Sequence, residues 1–237
     1  MQPRDSFPVP FPETGSVEIP EKKTLSKSDQ TYVYIRELIL SATLPPGHRV
    51  NEDELAEKLH TSRTPVREAM RRLSNDGLIT IYPKRYAEVT VHSPEQARML
   101  GLIRMSQDIL SGRLAIYYGS DAEFAQLRHL ADQCEAYAAA GDLCRRISAD
   151  RAFHLKITEI GKNELLMQQQ WQIYQRLHLL QIQYSASWDD TEQRVGHHDA
   201  LIDTLSRRDE KAYVEHVRLR CQELYDLDPK IVEMCGM

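Results

Sequence analysis

No apolar run in this 237-residue chain approaches the ~20 residues that a helix needs to cross a bilayer, so no membrane association is expected. The N-terminus has Arg4 and Asp5 followed by prolines, not a basic flank and an apolar core, which is not the pattern of a secretory signal. Cysteine is sparse. Cys134, Cys144, Cys221 and Cys235 show neither a CxxC spacing nor a framework pattern, which fits reduced thiols in a cytoplasm. Glycine is scarce, and helix formers dominate after the first third. An excess of positive charge is also missing: the net charge is −5, so any nucleic-acid surface has to be a local patch. The length suits two modest domains, each able to bury a core.

What is present is centred on residues 61–73. Ser62 suits a helix N-cap and Pro65 the first turn, where its missing N–H costs nothing. Val66, Ala69, Met70 and Leu73 follow i, i+3, i+4, i+7, so one face is apolar and buried. Thr64, Arg67 and Arg71 point the other way, with Arg63 at the entrance. A helix that is apolar behind and basic in front can enter the major groove, where arginines read guanine edges or clamp phosphates. The alternative is a solvated surface helix with internal pairs such as Glu68 with Arg72.

Around this helix the chain reads in order. Residues 1–27 carry five prolines and little periodicity, the composition of a disordered or extended arm. Ser28 and Asp29 can cap a helix to about residue 41, with Tyr32, Ile35, Leu38 and Ile39 inward. Leu44-Pro45-Pro46-Gly47 ends it, and a second helix spans about 52–59. His60-Thr61 is only a turn, so this helix and the basic one form a helix-turn-helix. After Asn75-Asp76-Gly77 the period becomes alternating: Ile79 and Ile81, then Val89 and Val91, flank Pro83-Lys84-Arg85-Tyr86. That is a two-stranded hairpin with a basic tip, a wing able to lie along phosphates or the minor groove.

From residue 93 onward only helices are read, at about 94–118, 121–139, 142–161, 163–185, 188–206 and 208–226, punctuated by Gly119, Gly141, Gly161 and Trp188-Asp189-Asp190. The fold class is therefore mainly α: an N-terminal winged helix-turn-helix of three helices and a wing, then an antiparallel all-helical bundle. Several ionisable residues share the inward arcs. Asp150 and His154 run with Phe153, Ile157 and Ile160; His198 with Leu201, Ile202 and Leu205. Arg220 runs with Tyr213, Val217 and Leu224, with His216 one turn before it. Arg104 and Asp108 run with Leu100, Ser111 and Ala115. Buried charges are costly unless paired, liganded or hydrated, so their convergence points to a polar cavity. Asp-x3-His plus a distant histidine is also metal-ligand chemistry, one hard oxygen and two imidazoles. Equally, Asp150 and His154 can simply pair, with His198 a satisfied core histidine.

The N-terminal motifs carry a resemblance. Leu44-Pro45-Pro46-Gly47-His48-Arg49-Val50-Asn51-Glu52, Leu55-Ala56, Ser62-Arg63-Thr64-Pro65-Val66-Arg67-Glu68-Ala69 and Gly77-Leu78 resemble the DNA-binding domain of the GntR transcriptional regulators, over about 28–92. The resemblance implies base and phosphate contacts from Arg63, Thr64 and Arg67, with Ser62 at the helix start. Arg49, Arg71, Lys84 and Arg85 complete the candidate DNA-contacting set. Two positions depart from the family: Tyr86 stands where a wing-tip glycine is usual, and Asp53 where fatty-acid-responsive members carry a DNA-contacting arginine.

Residues 94–226 resemble the all-helical effector-binding (FCD) domain of the FadR-like branch, so the domains are drawn as 1–27, 28–92 and 93–230. The usual set there is an aspartate and three histidines on a divalent metal, zinc or nickel, which holds a small carboxylate effector. Asp150, His154 and His198 match three positions, with Asn163 opening the next helix. The third histidine's position holds Arg220. A guanidinium cannot ligate a cation but binds carboxylate bidentately. Either Arg220 replaces the metal as the effector's anchor, or His216 reaches the metal while Arg220 binds the ligand. Arg104 is a second anion contact or an intrahelical partner of Asp108.

The resulting expectation is a cytoplasmic, ligand-responsive repressor of a catabolic operon, binding a palindromic operator on double-stranded DNA as a homodimer. The competing reading is a metal-dependent enzyme using Asp150, His154 and His198. Against it stand the lack of an obvious general base, nucleophile motif or phosphate loop, and a winged helix left unexplained. An architectural DNA-binding protein would leave the inward polar cluster unexplained.

Overall fold

The computed structural model describes residues 25–185 and 191–235. The chain divides into two compact units at the Val91–His92 junction. The expected arm, apart from residues 25–27, and the Trp188-Asp189-Asp190 stretch lie outside the described residues.

The first unit opens with α1 (Lys27–Leu40). Its cap is Ser26 rather than Ser28: the Ser26 hydroxyl accepts from the Asp29 amide at 3.1 Å and Asp29 reaches back to the Ser26 amide at 3.3 Å, a capping box. Tyr34, Ile35, Leu38 and Ile39 form the inner face. Tyr32, expected there, is half-buried and donates to Asp76 at 2.6 Å, with Arg72 4.4 Å over its ring. Next come β1 (Arg49–Val50), α2 (Glu52–Lys58), α3 (Arg63–Asn75), β2 (Ile79–Tyr82) and β3 (Tyr86–Val89). The α3 residues Val66, Ala69, Met70 and Leu73 are all buried, as their spacing requires. Ser62 holds the N-cap position without a side-chain cap bond.

The wing has three strands rather than two. β1 pairs antiparallel with β3, opposite β2, in the order β1-β3-β2, with Val50 facing Ala87 and Ile79 facing Val89. These four residues are buried. Ile81 and Val91, expected inward, are exposed. Residues 81–85 at the hairpin tip are all exposed, and Val91 lies beyond the last paired residue. The turn residue with left-handed backbone is Lys84, at φ 59°. Tyr86 already lies in β3, its ring 4.7 Å from that of Tyr82.

The second unit is a helical bundle of α4 (Pro94–Tyr118), α5 (Asp121–Ala139), α6 (Leu143–Ile160), α7 (Glu164–Gln183), α8 (Thr191–Ser206), α9 (Glu210–Tyr225) and the short α10 (Pro229–Cys235), which periodicity did not reveal. Ser93 and Ser120 close capping boxes with Gln96 and Glu123, while Asp142, Asn163 and Asp209 cap α6, α7 and α9. α5 packs on α6, α6 on α7 and α8 on α9. Three-residue connections make each of these pairs antiparallel. α4 packs on α9 closely enough that only glycine fits: a Cβ on Gly101 would lie 2.4 Å from the Tyr225 ring, and one on Gly112 1.9 Å from that of Tyr213. The tyrosine rings thus rest on the α4 backbone, and both reach inward to a polar cluster.

Candidate functional site

That cluster begins with Arg104 and Asp108, one turn apart on the inner face of α4 and each 5 % exposed. Arg104 Nε donates to Asp108 Oδ2 at 3.1 Å, and its Nη1 donates to the Tyr225 hydroxyl at 2.9 Å. Asp108 also accepts from Tyr174 at 2.9 Å and from Gln170 at 2.9 Å, both on α7. Thr158 of α6 then donates to Gln170 Oε1 at 2.6 Å. Four helices therefore share one hydrogen-bonded charge pair, which satisfies the desolvated groups.

Beside it, Asp150 and His154 of α6 meet His198 of α8. One ligand atom from each lies within 4.8 Å of the others: His198 Nε2 is 3.1 Å, and His154 Nε2 3.8 Å, from Asp150 Oδ1. The His198 ring packs tilted against Phe153 at 4.2 Å, and that of His154 stacks on Tyr174 at 5.4 Å, which restricts their planes. Burial would raise Asp150, but the His198 hydrogen bond and the charges of His154, His198 and Arg104 outweigh it and hold the carboxyl well below its ordinary range. Burial first, then Arg104, with smaller contributions from His198 and Arg220, holds His154 well below the usual imidazole range against the pull of Asp150. At neutral pH the site thus offers a carboxylate and a neutral imidazole. Arg104 Nη2 lies 3.0 Å from His154 Nε2, so it donates to the lone pair that would otherwise face a cation.

Three ligands of this chemistry fit a divalent transition metal, provided that Arg104 withdraws from His154. Burial pushes the nearby Cys221 thiol up to about 12, so it stays protonated and supplies no thiolate. Arg220 is half-buried on α9. His216 is exposed, contrary to the expectation that it enters the cluster. Tyr213 and Val217 define the inward arc of α9, and position 216 points away from it. The residues that periodicity alone did not single out are Gln170, Tyr174 and Gln181, which line one buried face of α7 at i, i+4, i+11. Gln181 reaches Asp150 Oδ2 at 3.4 Å. A run of polar residues on a buried arc was the available signal.

In the first unit, Arg49, Ser62, Arg63, Thr64, Arg67, Arg71, Lys84 and Arg85 are all exposed. Arg49, Arg67, Arg71, Lys84 and Arg85 line one groove of about 930 Å³ between α3 and the wing. Arg49 stacks on Tyr86 at 4.5 Å. Arg63 Nε pairs with Asp53 at 2.5 Å and Arg67 Nε with Glu52 at 2.7 Å. Both arginine side chains nevertheless stay more than half exposed, at 62% and 56%. Arg72 pairs with Asp29 on α1 at 2.6 Å, not within its own helix as the surface-helix alternative had it.

Both units match known families. Residues 27–89 match the model for bacterial regulatory proteins of the gntR family, and residues 103–220 that for the FCD domain. The Nta operon transcriptional regulator of Aminobacter aminovorans is 30% identical over 186 residues, covering 76% of this chain and 84% of that one. The chain belongs to the GntR family, with an FCD domain. The HTH-type transcriptional repressor RspR of Escherichia coli K12 is 26% identical over 212 residues, 86% of this chain and 91% of RspR. The structure of E. coli McbR/YncC shares the fold, with TM-score 0.70 at 22% identity over 85% of this chain and 98% of that one. The protein is thus a helix-turn-helix transcriptional regulator and not an enzyme, and the basic α3 lies within the residues that match the gntR model. No helix among the described residues is long and apolar enough to cross a membrane.

Proposed function

We propose that this GntR regulator represses a catabolic operon from a palindromic operator as a homodimer, and that a small acidic metabolite bound in the FCD cavity controls it. The observation that carries the reading is the buried meeting of Arg104, Asp150, His154 and His198 in a chain whose other unit exposes a basic recognition helix. An effector changes operator binding only through its differential affinity for two dimer geometries.

A divalent cation on Asp150, His154 and His198, zinc or nickel, would act as a Lewis acid toward the effector's carboxylate. Arg104, released from His154, is the cationic fork that would take one carboxylate edge. Arg220 favours a second form of the same reading. Its charge reaches His154, so Arg104 and Arg220 can anchor an acid without a metal.

Homodimerisation is supported by α4. Its outer face exposes Met99, Ile103, Leu110 and Tyr117, within an arc of about 40° at 100° per residue, and the last three repeat at seven. A seam of this width suits a second α4. DNA binding places the protein in the cytoplasm, with the chromosome.

The test is binding-site selection with the full chain on random duplex DNA, followed by footprinting. The proposal expects an inverted repeat protected as two half-sites and lost with Arg67→Ala. A single unrepeated site would overturn the dimer reading. Operator affinity unchanged by every small carboxylic acid, with or without zinc, would overturn the effector reading.

A further inference from the structure

His92 is the first residue of the helical unit, and only Thr90 and Val91 separate it from the last residue of the wing strand β3. It is 6 % exposed although it belongs to no helix or strand. The end of α7 holds it. Its amide donates to Gln183 Oε1 at 2.8 Å, the Gln183 Nε2 donates to its carbonyl at 2.8 Å, and the Tyr184 hydroxyl donates to the same carbonyl at 3.2 Å. The side-chain amide thus satisfies both backbone groups of one junction residue, as a neighbouring strand would.

The same helix is tied to the cluster at its other levels. Gln170 and Tyr174 donate to Asp108, and Gln181, two residues before Gln183, reaches Asp150. We infer that Gln183 is a positioning residue through which α7 transmits the state of the Asp150 site to the junction with the DNA-binding unit. This rests on the effector reading above. A rigid helix with one face in a ligand site and its last turn on a backbone segment can carry a small displacement without a chain of side chains. Asp150 need only change its hold on Gln181 for the turn that bears Gln183 to shift or loosen.

The experiment is amide hydrogen exchange at His92 in the full chain, with zinc ion alone as the probe and zinc binding followed by calorimetry. The His92 amide should be protected in the parent protein. Gln183→Leu should speed its exchange by roughly two- to tenfold, what a single hydrogen bond is worth. Gln183→Glu keeps the acceptor and should stay nearer the parent, which separates loss of the clamp from misfolding. Zinc, and independently Asp150→Ala, should change His92 exchange in the parent but not in Gln183→Leu. Zinc that binds without changing His92 exchange overturns the relay and leaves the effector reading standing. Zinc that does not bind counts against the metal form of that reading. Asp150→Ala then decides the relay, which an unchanged His92 overturns.

Discussion

Replacing Arg104 by leucine removes one half of a charge pair that is almost completely buried. Asp108 would keep its Tyr174 and Gln170 donors but lose the Nε bond and its paired guanidinium charge, and the Tyr225 hydroxyl and His154 Nε2 would each lose a partner. Breaking a buried pair from one side costs about 3–5 kcal/mol, equivalent to a fall of roughly 10–20 °C in the melting temperature of a unit this size. Both tryptophans, Trp171 and Trp188, follow residue 92 in the chain, so tryptophan fluorescence reports the helical unit alone. The pH dependence sharpens the test. Burial already raises Asp108 in the parent, against the charge of Arg104 and the hydrogen bonds, and without Arg104 the rise grows. A carboxyl raised in the folded state binds its proton there before it does in the unfolded chain. The variant should therefore gain stability as pH falls from 7 toward the ordinary carboxylate range, and lose it again as pH rises. A loss under about 1 kcal/mol, or one indifferent to pH, would show that Asp108 is solvated and the cluster open, and the reasoning would fail.

Arg67→Ala should weaken operator binding by at least about tenfold, the value of one bidentate base contact, while circular dichroism and dimer mass stay unchanged; unchanged affinity would mean that α3 is not the reading helix. Affinity should fall steeply between 50 and 200 mM salt, by about three orders of magnitude or more if the dimer meets several phosphates, and a flat response in a filter-binding titration would contradict the basic groove. Gly112→Ala should destabilise the helical unit by about 1–3 kcal/mol, because the Tyr213 ring already fills the space; a neutral result in urea unfolding would mean that α4 and α9 are packed less closely. Arg220→His would add an imidazole to Asp150, His154 and His198 and should raise zinc affinity measured against a chelator, whereas His216→Ala should leave it unaltered.

Much of this architecture was legible because it rests on short-range rules. The helices of the bundle fall within a few residues of their periodic spans, since Ser93, Ser120, Asp142, Asn163 and Asp209 cap them where the pattern begins. The candidate cluster was legible for a related reason. Aspartate and histidine on an apolar arc have to meet partners, and Asp150, His154 and His198 do. What escaped depends on tertiary context. The two-residue β1 has no period of its own and exists because Val50 finds Ala87 across the wing. Ser26 outcompeted Ser28 because Asp29 could answer it. His216 lies on the exposed side of α9, one residue away from an arc fixed by tyrosine–glycine contacts that no sequence period displays. Asp53, read as a lost DNA contact, gained a partner in Arg63.

The central claim is that the buried cluster of the FCD unit governs the operator. The most direct measurement is operator affinity of the full chain, titrated with small carboxylic acids in the presence and absence of zinc, for the parent and for His198→Ala. The account predicts an acid that both raises the melting temperature of the helical unit and changes operator affinity, with both effects lost in the variant. An affinity change that survives His198→Ala would place the effector elsewhere and contradict the account.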